Sequence, residues 1–157
     1  MTQQYLIVGG NAAGMSTATR LRRLNEGDEI IVLEQGEHVS YASCGLPYHL
    51  SDTVPEEQLA VMGVEQLSAA FDLDIRTGVT ATGIDPGAHT VSVVDADDES
   101  MTIAYDDLVV ATGAEPLVPP MFDLDELEHC HTLRTVSDAT GIRDDVADAE
   151  RALVIGG

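Results

Sequence analysis

The chain has 157 residues, and its 28 acidic and 7 basic side chains give a formal net charge of −21. All of the basic residues are arginine, and the excess of negative charge disfavours binding to nucleic acid and to an anionic membrane surface. No apolar run approaches the roughly 18 residues that span a bilayer, and neither a signal peptide nor a disulfide framework is recognisable, so we expect a cytoplasmic protein.

The first forty residues carry the clearest structural pattern. Residues 5–8 are a short apolar run that predicts a buried strand, and the glycine-rich residues 9–14 predict a tight turn. Residues 15–24 have helical periodicity, and the β-branched run 29–33 predicts a second strand that ends at Glu34. This order of strand, turn, helix and strand predicts a parallel βαβ unit and therefore an α/β fold.

Beyond residue 50 the pattern is less sharp. Helical spacing predicts helices over 56–71 and 140–148, and an acidic loop joins two strands that could form a hairpin in a small antiparallel β-meander. The short strands predicted in this part of the chain cover 73–76, 79–84, 90–94, 101–104 and 108–111.

The last residues repeat the form of the opening strand. Residues 152–157 read Ala-Leu-Val-Ile-Gly-Gly, as residues 5–10 read Tyr-Leu-Ile-Val-Gly-Gly. We therefore predict one nucleotide-binding domain over 1–150, itself incomplete, and the first strand of a second nucleotide-binding domain over 151–157, cut off before its helix. The alternative is a coincidental apolar strand at the C-terminus.

The turn after the first strand predicts a dinucleotide site. Gly9 and Gly14 occupy the first and third glycine positions of a G-x-G-x-x-G pattern, whereas the middle position is Asn11. Glycine at such a turn lets backbone N–H groups at the helix N-terminus approach a pyrophosphate. Glu34, at the end of the second strand, suits a carboxylate that accepts hydrogen bonds from a ribose. The alternative is a purely structural turn.

Cys44 is the candidate reactive side chain. It precedes a short predicted helix in which Pro47 suits the first turn, and a thiolate is favoured at such a position. The other cysteine, Cys130, is distant in the sequence, so no dithiol pair is predicted. Taken alone, this pattern favours an inert buried cysteine over a reactive one. Cys130 is predicted to be a small core residue, and no metal site is expected at His129 and His131.

Several segments together carry the pattern of one family; they are 8–14, 20–24, Glu34, 43–48, 105–113 and 131–134. They resemble the single-cysteine flavoprotein disulfide reductases, namely the coenzyme A-disulfide reductases and NADH oxidases or peroxidases of the pyridine nucleotide-disulfide oxidoreductase family. The most specific segment is Cys-Gly-Leu-Pro-Tyr at 44–48. The resemblance implies the N-terminal part of a Rossmann-like FAD-binding domain. The acidic, lysine-free composition resembles that of haloarchaeal proteins.

The resemblance also implies cofactors and site residues. FAD would be bound, NAD(P)H would be the co-substrate, no metal would be required, and Cys44 would be the only redox centre besides the flavin. The full-length protein would be a homodimer. The residues that would bind FAD are Gly9, Gly10, Asn11, Ala12, Ala13, Gly14, Glu34, Gln35, Ser43, Ala81, Ala111, Thr112 and Gly113.

One helix face suggests the substrate. Ser16, Arg20 and Arg23 are spaced i, i+4, i+7 and share a face that in the family binds the coenzyme A nucleotide. A polyanionic substrate would account for this concentration of arginine, and Ser40 and Ser43 would complete the approach to the thiol. The family often has asparagine at position 43. The alternative is that the arginines only stabilise the C-terminal half of the helix.

The sequence thus predicts an enzyme, with an activity that the cysteine motif leaves partly open. The first interpretation is a coenzyme A-disulfide reductase, in which reducing equivalents pass from NAD(P)H through FAD to Cys44. The second is an NADH oxidase or peroxidase that acts through a Cys44 sulfenic acid. The third is that these residues alone form a partial FAD-binding module without turnover. Specificity for NADH or NADPH stays open.

Overall fold

The computed structural model describes residues 2–60, 62–122 and 127–156. The chain divides into two units, of which the first comprises Met1–Tyr41 and Ala60–Gly113 and the second Ala42–Leu59 and Ala114–Gly157. No helix in the described ranges is long and apolar enough to cross a membrane.

The predicted α/β architecture is confirmed. The strands of the described residues are β1 (Gln4–Val8), β2 (Glu29–Glu34), β3 (Asp74–Thr77), β4 (Thr80–Asp85), β5 (Thr90–Val94), β6 (Ser100–Ala104) and β7 (Asp107–Val110). The α-helices are α1 (Ala12–Leu24), α2 (Leu46–Leu50), α3 (Val64–Phe71) and α4 (Val136–Val146).

The first unit contains two sheets. A parallel sheet has the strand order β3-β2-β1-β7, with Tyr5 of β1 opposite both Ile30 and Asp107. A separate antiparallel sheet has the order β4-β5-β6, with an irregularity in register between Ala81 and Gly83. The antiparallel sheet is the β-meander expected from the sequence.

The central strands β1 and β2 of the parallel sheet are buried on both faces, which explains their continuous apolar runs. Because side chains alternate along a strand, the two faces belong to two different apolar clusters. One cluster contacts α1 and α3 and contains Ile7, Met15, Ala18, Ile30, Val32, Val39, Leu67 and Leu73. The other joins the two sheets and contains Leu6, Val8, Ile31, Leu33, Val91, Val93 and Ile103.

The single helix predicted over 56–71 is wrong. The structure has a 3₁₀ turn at Glu56–Gln58 and then α3, which begins only at Val64. Between these two elements Ala60 forms an antiparallel bridge with Tyr41, which a continuous helix would not allow. Gly63 caps α3 through a hydrogen bond from its N–H to the side chain of Gln66 (3.3 Å).

The start of α4 and the C-terminal residues also differ from the sequence prediction. Helix α4 begins at Val136 rather than at residue 140, because Thr135 caps it: the Thr135 hydroxyl accepts from the Asp138 N–H, and the Asp138 carboxylate accepts from the Thr135 N–H. The strand expected at 152–155 is not found in the described residues, since 151–156 form no backbone ladder there. Gly157 lies outside the described residues.

Candidate functional site

The glycine turn lies at the carboxyl ends of three adjacent parallel strands of the first unit. The Gly9 N–H donates to the carbonyl of Leu33 at the end of β2 (2.8 Å), and the Ala111 N–H donates to the carbonyl of Val8 (2.7 Å). Helix α1 begins directly after the turn, at Ala12. The carboxyl end of such a sheet is where α/β folds bind their ligands.

Two glycines of the turn are required by its geometry. Gly9 has φ of 110°, and a Cβ there would overlap the carbonyl oxygen of Ala111. A Cβ on Gly14 would overlap the carbonyl oxygen of Gly9. Gly9 is therefore required for its backbone conformation. Gly14 is required so that the first turn of α1 can lie against the loop.

Asn11 carries an unsatisfied polar atom at this turn. It occupies the N-cap position of α1, yet its side chain makes no capping hydrogen bond. Its Oδ1 is buried without a hydrogen-bond partner in the described residues. The next residues, Ala12 and Ala13, are exposed at the helix start, where backbone N–H groups lack intrahelical partners. The orphaned oxygen fits a hydroxyl donor of a dinucleotide, and the N–H groups beside it fit the phosphates.

Glu34 connects the end of β2 to the glycine turn. Its Oε2 accepts from the Gly10 N–H (2.7 Å), and its Oε1 accepts from the Gly36 N–H (2.9 Å). The neighbouring Gln35 is exposed. The sequence predicted Glu34 as a ribose ligand, and its contact with Gly10 adds a second role in holding the turn.

We expect Glu34→Gln to weaken this turn. A glutamine has one carbonyl oxygen and one NH₂ group, so it can accept from only one of the two backbone N–H groups. Either the Gly10 N–H or the Gly36 N–H then faces the NH₂ donor, and the remaining bond is no longer charge-assisted, so we expect a loss of about 1–3 kcal/mol in the free energy of unfolding. Urea denaturation at neutral pH measures this loss, and Glu37→Gln, at an exposed position three residues later, is the control. Equal midpoints for Glu34→Gln and wild type would contradict the role.

The remaining cofactor candidates of the first unit are spread over both sheets. Thr112 and Gly113 are exposed after β7, and Gly113 has φ of 74°. Ala81 lies in β4 of the antiparallel sheet and is half-buried against the cluster that joins the sheets. Ser40 is brought to the glycine turn, because its N–H donates to the Gly10 carbonyl (2.9 Å).

The predicted substrate face of α1 is exposed. Ser16, Arg20 and Arg23 are all on the surface, as their shared spacing predicts. Arg22, which contributes to the same concentration of arginine, has another role: its side chain is only 12% exposed. Its guanidinium donates to the backbone carbonyls of Phe71, Asn25, Glu26, Asp28 and Asp72. Arg22 thus joins the ends of α1 and α3. Of the three arginines within residues 20–23, Arg20 and Arg23 are therefore the two that are available to a ligand.

Cys44 belongs to the second unit and carries a free, exposed thiol. It lies inside a 3₁₀ turn, Ser43–Gly45, and the predicted short helix follows directly as α2. Ser43 is also exposed. The turn is fastened by backbone hydrogen bonds from the Gly45 N–H to the Ala42 carbonyl and from the Ala42 N–H to the Leu59 carbonyl, both 2.8 Å. The thiol is accessible to a reactant, which an inert core cysteine would not be.

The histidine pair near residue 130 contacts a residue that the sequence did not indicate. His129 Nδ1 and His131 Nε2 lie 3.1 and 2.5 Å from Asp145 Oδ2. These hydrogen bonds, chiefly the one to His131, lower the pKa of Asp145. Cys130 is exposed, so its prediction as a core residue is wrong: the chain here has no regular structure to turn it inward. No histidine, cysteine and carboxylate cluster in the described ranges has the arrangement of a metal site.

Comparison with known proteins gives consistent matches. The family model described as pyridine nucleotide-disulphide oxidoreductase matches residues 3–157. The NADH oxidase of Methanocaldococcus jannaschii is 32% identical over 87% of this chain and 31% of its own length. The coenzyme A disulfide reductase of Staphylococcus haemolyticus is 30% identical over 98% of this chain and 35% of its own length.

A solved structure is similar over almost the whole chain. The crystal structure of reduced Bacillus anthracis CoADR-RHD superposes with a TM-score of 0.91 and 37% identity, covering 94% of this chain and 27% of that one. This chain therefore spans about a third of the length of the relatives that it matches.

Proposed function

Because this chain belongs to the pyridine nucleotide-disulphide oxidoreductase family, we propose that it forms part of an FAD- and NAD(P)H-dependent disulfide reductase with Cys44 as its redox nucleophile. The observation that carries the proposal is the free, exposed Cys44 thiol in a turn that backbone hydrogen bonds fasten. The preferred activity is the reduction of coenzyme A disulfide, the activity named for the relative from Staphylococcus haemolyticus.

The glycine turn supports the choice of cofactor. Its N–H groups would hold phosphates, Oδ1 of Asn11 would accept from a hydroxyl of the dinucleotide, and Glu34 would accept from a ribose. The flavin side would be lined by Ala111, Thr112 and Gly113. FAD supplies, when bound, the two-electron chemistry that connects hydride donation by NAD(P)H with reduction of a cysteine disulfide.

Cys44 would perform the step on the substrate. As a thiolate it attacks one sulfur of the substrate disulfide, so that a mixed disulfide forms on Cys44 and the other half of the substrate leaves as a thiolate. Two electrons and a proton then release the second thiol and restore Cys44. The exposure of the thiol supports this role, since attack requires access of the substrate sulfur.

Arg20, Arg23 and Ser16 would bind the anionic part of such a substrate, and Ser40 and Ser43 would complete the approach to the thiol, as the family resemblance implies. Exposed guanidinium groups in a chain of net charge −21 form a local cationic site for phosphates. We expect Arg20→Ala combined with Arg23→Ala to raise the KM for coenzyme A disulfide about tenfold, since exposed ion pairs are worth roughly 0.2–1 kcal/mol each and a tenfold change corresponds to about 1.4 kcal/mol. The KM for NAD(P)H should not change.

Steady-state kinetics test this substrate face in the full-length protein. Arg151→Ala, which removes an exposed arginine from the second unit, is the matched control. A double variant with an unchanged KM for coenzyme A disulfide would exclude the α1 face as the anion site.

An NADH oxidase or peroxidase is the second candidate, favoured by the 32% identity to the oxidase of Methanocaldococcus jannaschii. Here the Cys44 thiolate would attack one oxygen of hydrogen peroxide, so that a sulfenic acid forms and the other oxygen leaves as water, in place of the mixed disulfide. The third candidate is a module that binds FAD without turnover on its own.

The three candidate functions are separated by side-by-side kinetics with coenzyme A disulfide, peroxide and oxygen, together with a flavin absorption spectrum. Absence of flavin bands would overturn the proposal.

Two further expectations concern the full-length protein. We expect a homodimer, measurable by light scattering, as in the family that the sequence resembles.

We also expect the free energy of unfolding of the protein to rise with salt concentration, because screening reduces the self-repulsion of a chain with net charge −21.

A further inference from the structure

His49 is a buried polar side chain in the segment that carries Cys44. It lies in α2, only 1% exposed, and both of its ring nitrogens have partners. Nδ1 lies 3.0 Å from the carbonyl oxygen of Val54, and Nε2 lies 3.1 Å from Nη1 of Arg143 in α4. Arg143 Nη2 in turn donates to Oδ1 of Asp52 at 2.5 Å. The imidazole is therefore held on both sides.

These contacts determine the protonation of the ring. A guanidinium has donors and no acceptor, so the N–H of Arg143 must donate and His49 Nε2 must accept. The proton consequently sits on Nδ1, which donates to the Val54 carbonyl. These contacts select the Nδ1–H tautomer of His49, and the guanidinium that selects it is shared with the Asp52 carboxylate.

The same contacts connect the cysteine turn to a distant part of the sequence. Helix α4 packs against α2, with Val136, Ala139 and Arg143 on the same face of α4. Leu46, the first residue of α2, is buried and its N–H donates to the Ser43 carbonyl, so a movement of α2 moves the turn that holds Cys44. The backbone bonds at Ala42 and Gly45 fasten that turn on its other side.

We propose that Arg143 is a positioning residue for Cys44, because its hydrogen bond to His49 fixes α2 and with it the Ser43–Gly45 turn. This inference rests on the proposed role of Cys44 as nucleophile. It does not depend on which disulfide or peroxide is the substrate. The contact joins residues that lie in separate segments of the second unit, and nothing in the motif around Cys44 indicates it.

The test compares Arg143→Met and Arg143→Lys with the wild type in the full-length, flavin-loaded protein that also carries Cys130→Ser. Methionine keeps the length of the stem but has no donor, whereas lysine keeps one donor. The three readouts are the tautomer of His49 from ¹⁵N chemical shifts, the rate of Cys44 alkylation by iodoacetamide, and the kcat and KM for coenzyme A disulfide. Asp144→Asn, at an exposed position of α4, is the control.

We expect Arg143→Met to remove the preference of His49 for the Nδ1–H tautomer and to change the rate of Cys44 alkylation. It should also lower kcat about tenfold, because a displaced nucleophile reacts more slowly but is still present. The KM for NAD(P)H should stay constant, and Arg143→Lys should restore most of the kcat. If Arg143→Met does not fold, Arg143→Gln replaces it, because the shorter amide side chain stays polar but ends short of His49; the same changes in all three readouts are then expected. A variant with an altered His49 signal but wild-type alkylation and kcat overturns the proposal.

The design separates two failures. A wild-type protein that reduces neither disulfide nor peroxide refutes the proposed function. The tautomer and alkylation measurements need no turnover, so they still decide whether Arg143 positions Cys44.

Discussion

Replacing Cys44 by serine in the full-length protein is expected to lower the kcat of NAD(P)H-dependent disulfide reduction by at least about 1,000-fold, since the step loses its nucleophile. Reduction of the bound flavin by NAD(P)H should be unaffected, because Cys44 takes no part in that step. Stopped-flow absorbance of the flavin and release of free thiol measure the two halves separately.

Cys130→Ser is the matched control for this experiment. Cys130 is also free and exposed, but it lies outside the Ser43–Gly45 turn, so its loss should leave both half-reactions unchanged. Two results would refute the assignment: disulfide reduction that survives Cys44→Ser, or a loss of turnover in Cys130→Ser equal to that in Cys44→Ser.

Gly14→Ala should cause the largest structural loss. The added methyl group would overlap the Gly9 carbonyl oxygen, and that oxygen is backbone with no rotamer to move it away. Either α1 or the turn must shift, and we expect a loss of about 3 kcal/mol or more in the free energy of unfolding, as for severe overpacking. The purified protein should contain little flavin. Denaturation midpoints and the ratio of flavin to protein absorbance give both quantities.

Gly27→Ala tests whether the effect is specific to the crowded position. A Cβ on Gly27, in the connection between α1 and β2, would meet nothing within 4 Å, so this substitution should change stability by no more than about 0.5 kcal/mol. A Gly14→Ala protein with wild-type stability and full flavin content would show that the turn is not constrained as described.

The parts of the fold that were predictable from sequence are local ones. β1, α1 and β2 follow one another with short connections, and their apolar periodicity alone is enough to place them. The hairpins of β4, β5 and β6 are predictable for the same reason. The helix predicted over 56–71 failed because Ala60 pairs with Tyr41, 19 residues earlier, and no local pattern encodes that pairing.

The residues of the candidate site were likewise predictable only where they belong to one local motif. Gly9, Gly14 and Glu34 lie within one βαβ unit, so a known motif indicates them. The burial of Arg22 could not be read from its position among neighbouring arginines, because its acceptors are backbone carbonyls, which leave no trace in side-chain patterns. The contact of His49 with Arg143 joins two segments 94 residues apart, and no local pattern encodes it.

The carboxylate of Glu34 also bears on the energetics of ligand binding. Each carboxylate oxygen has two acceptor positions, and the backbone N–H groups of Gly10 and Gly36 occupy one on each oxygen. A ribose hydroxyl can therefore be accommodated without breaking either bond. These hydrogen bonds order the glycine turn before a ligand arrives. The entropy of ordering the turn is therefore lost during folding rather than on association, which leaves more of the contact energy for affinity. Glu34→Gln should accordingly slow the capture of FAD as well as weaken its retention.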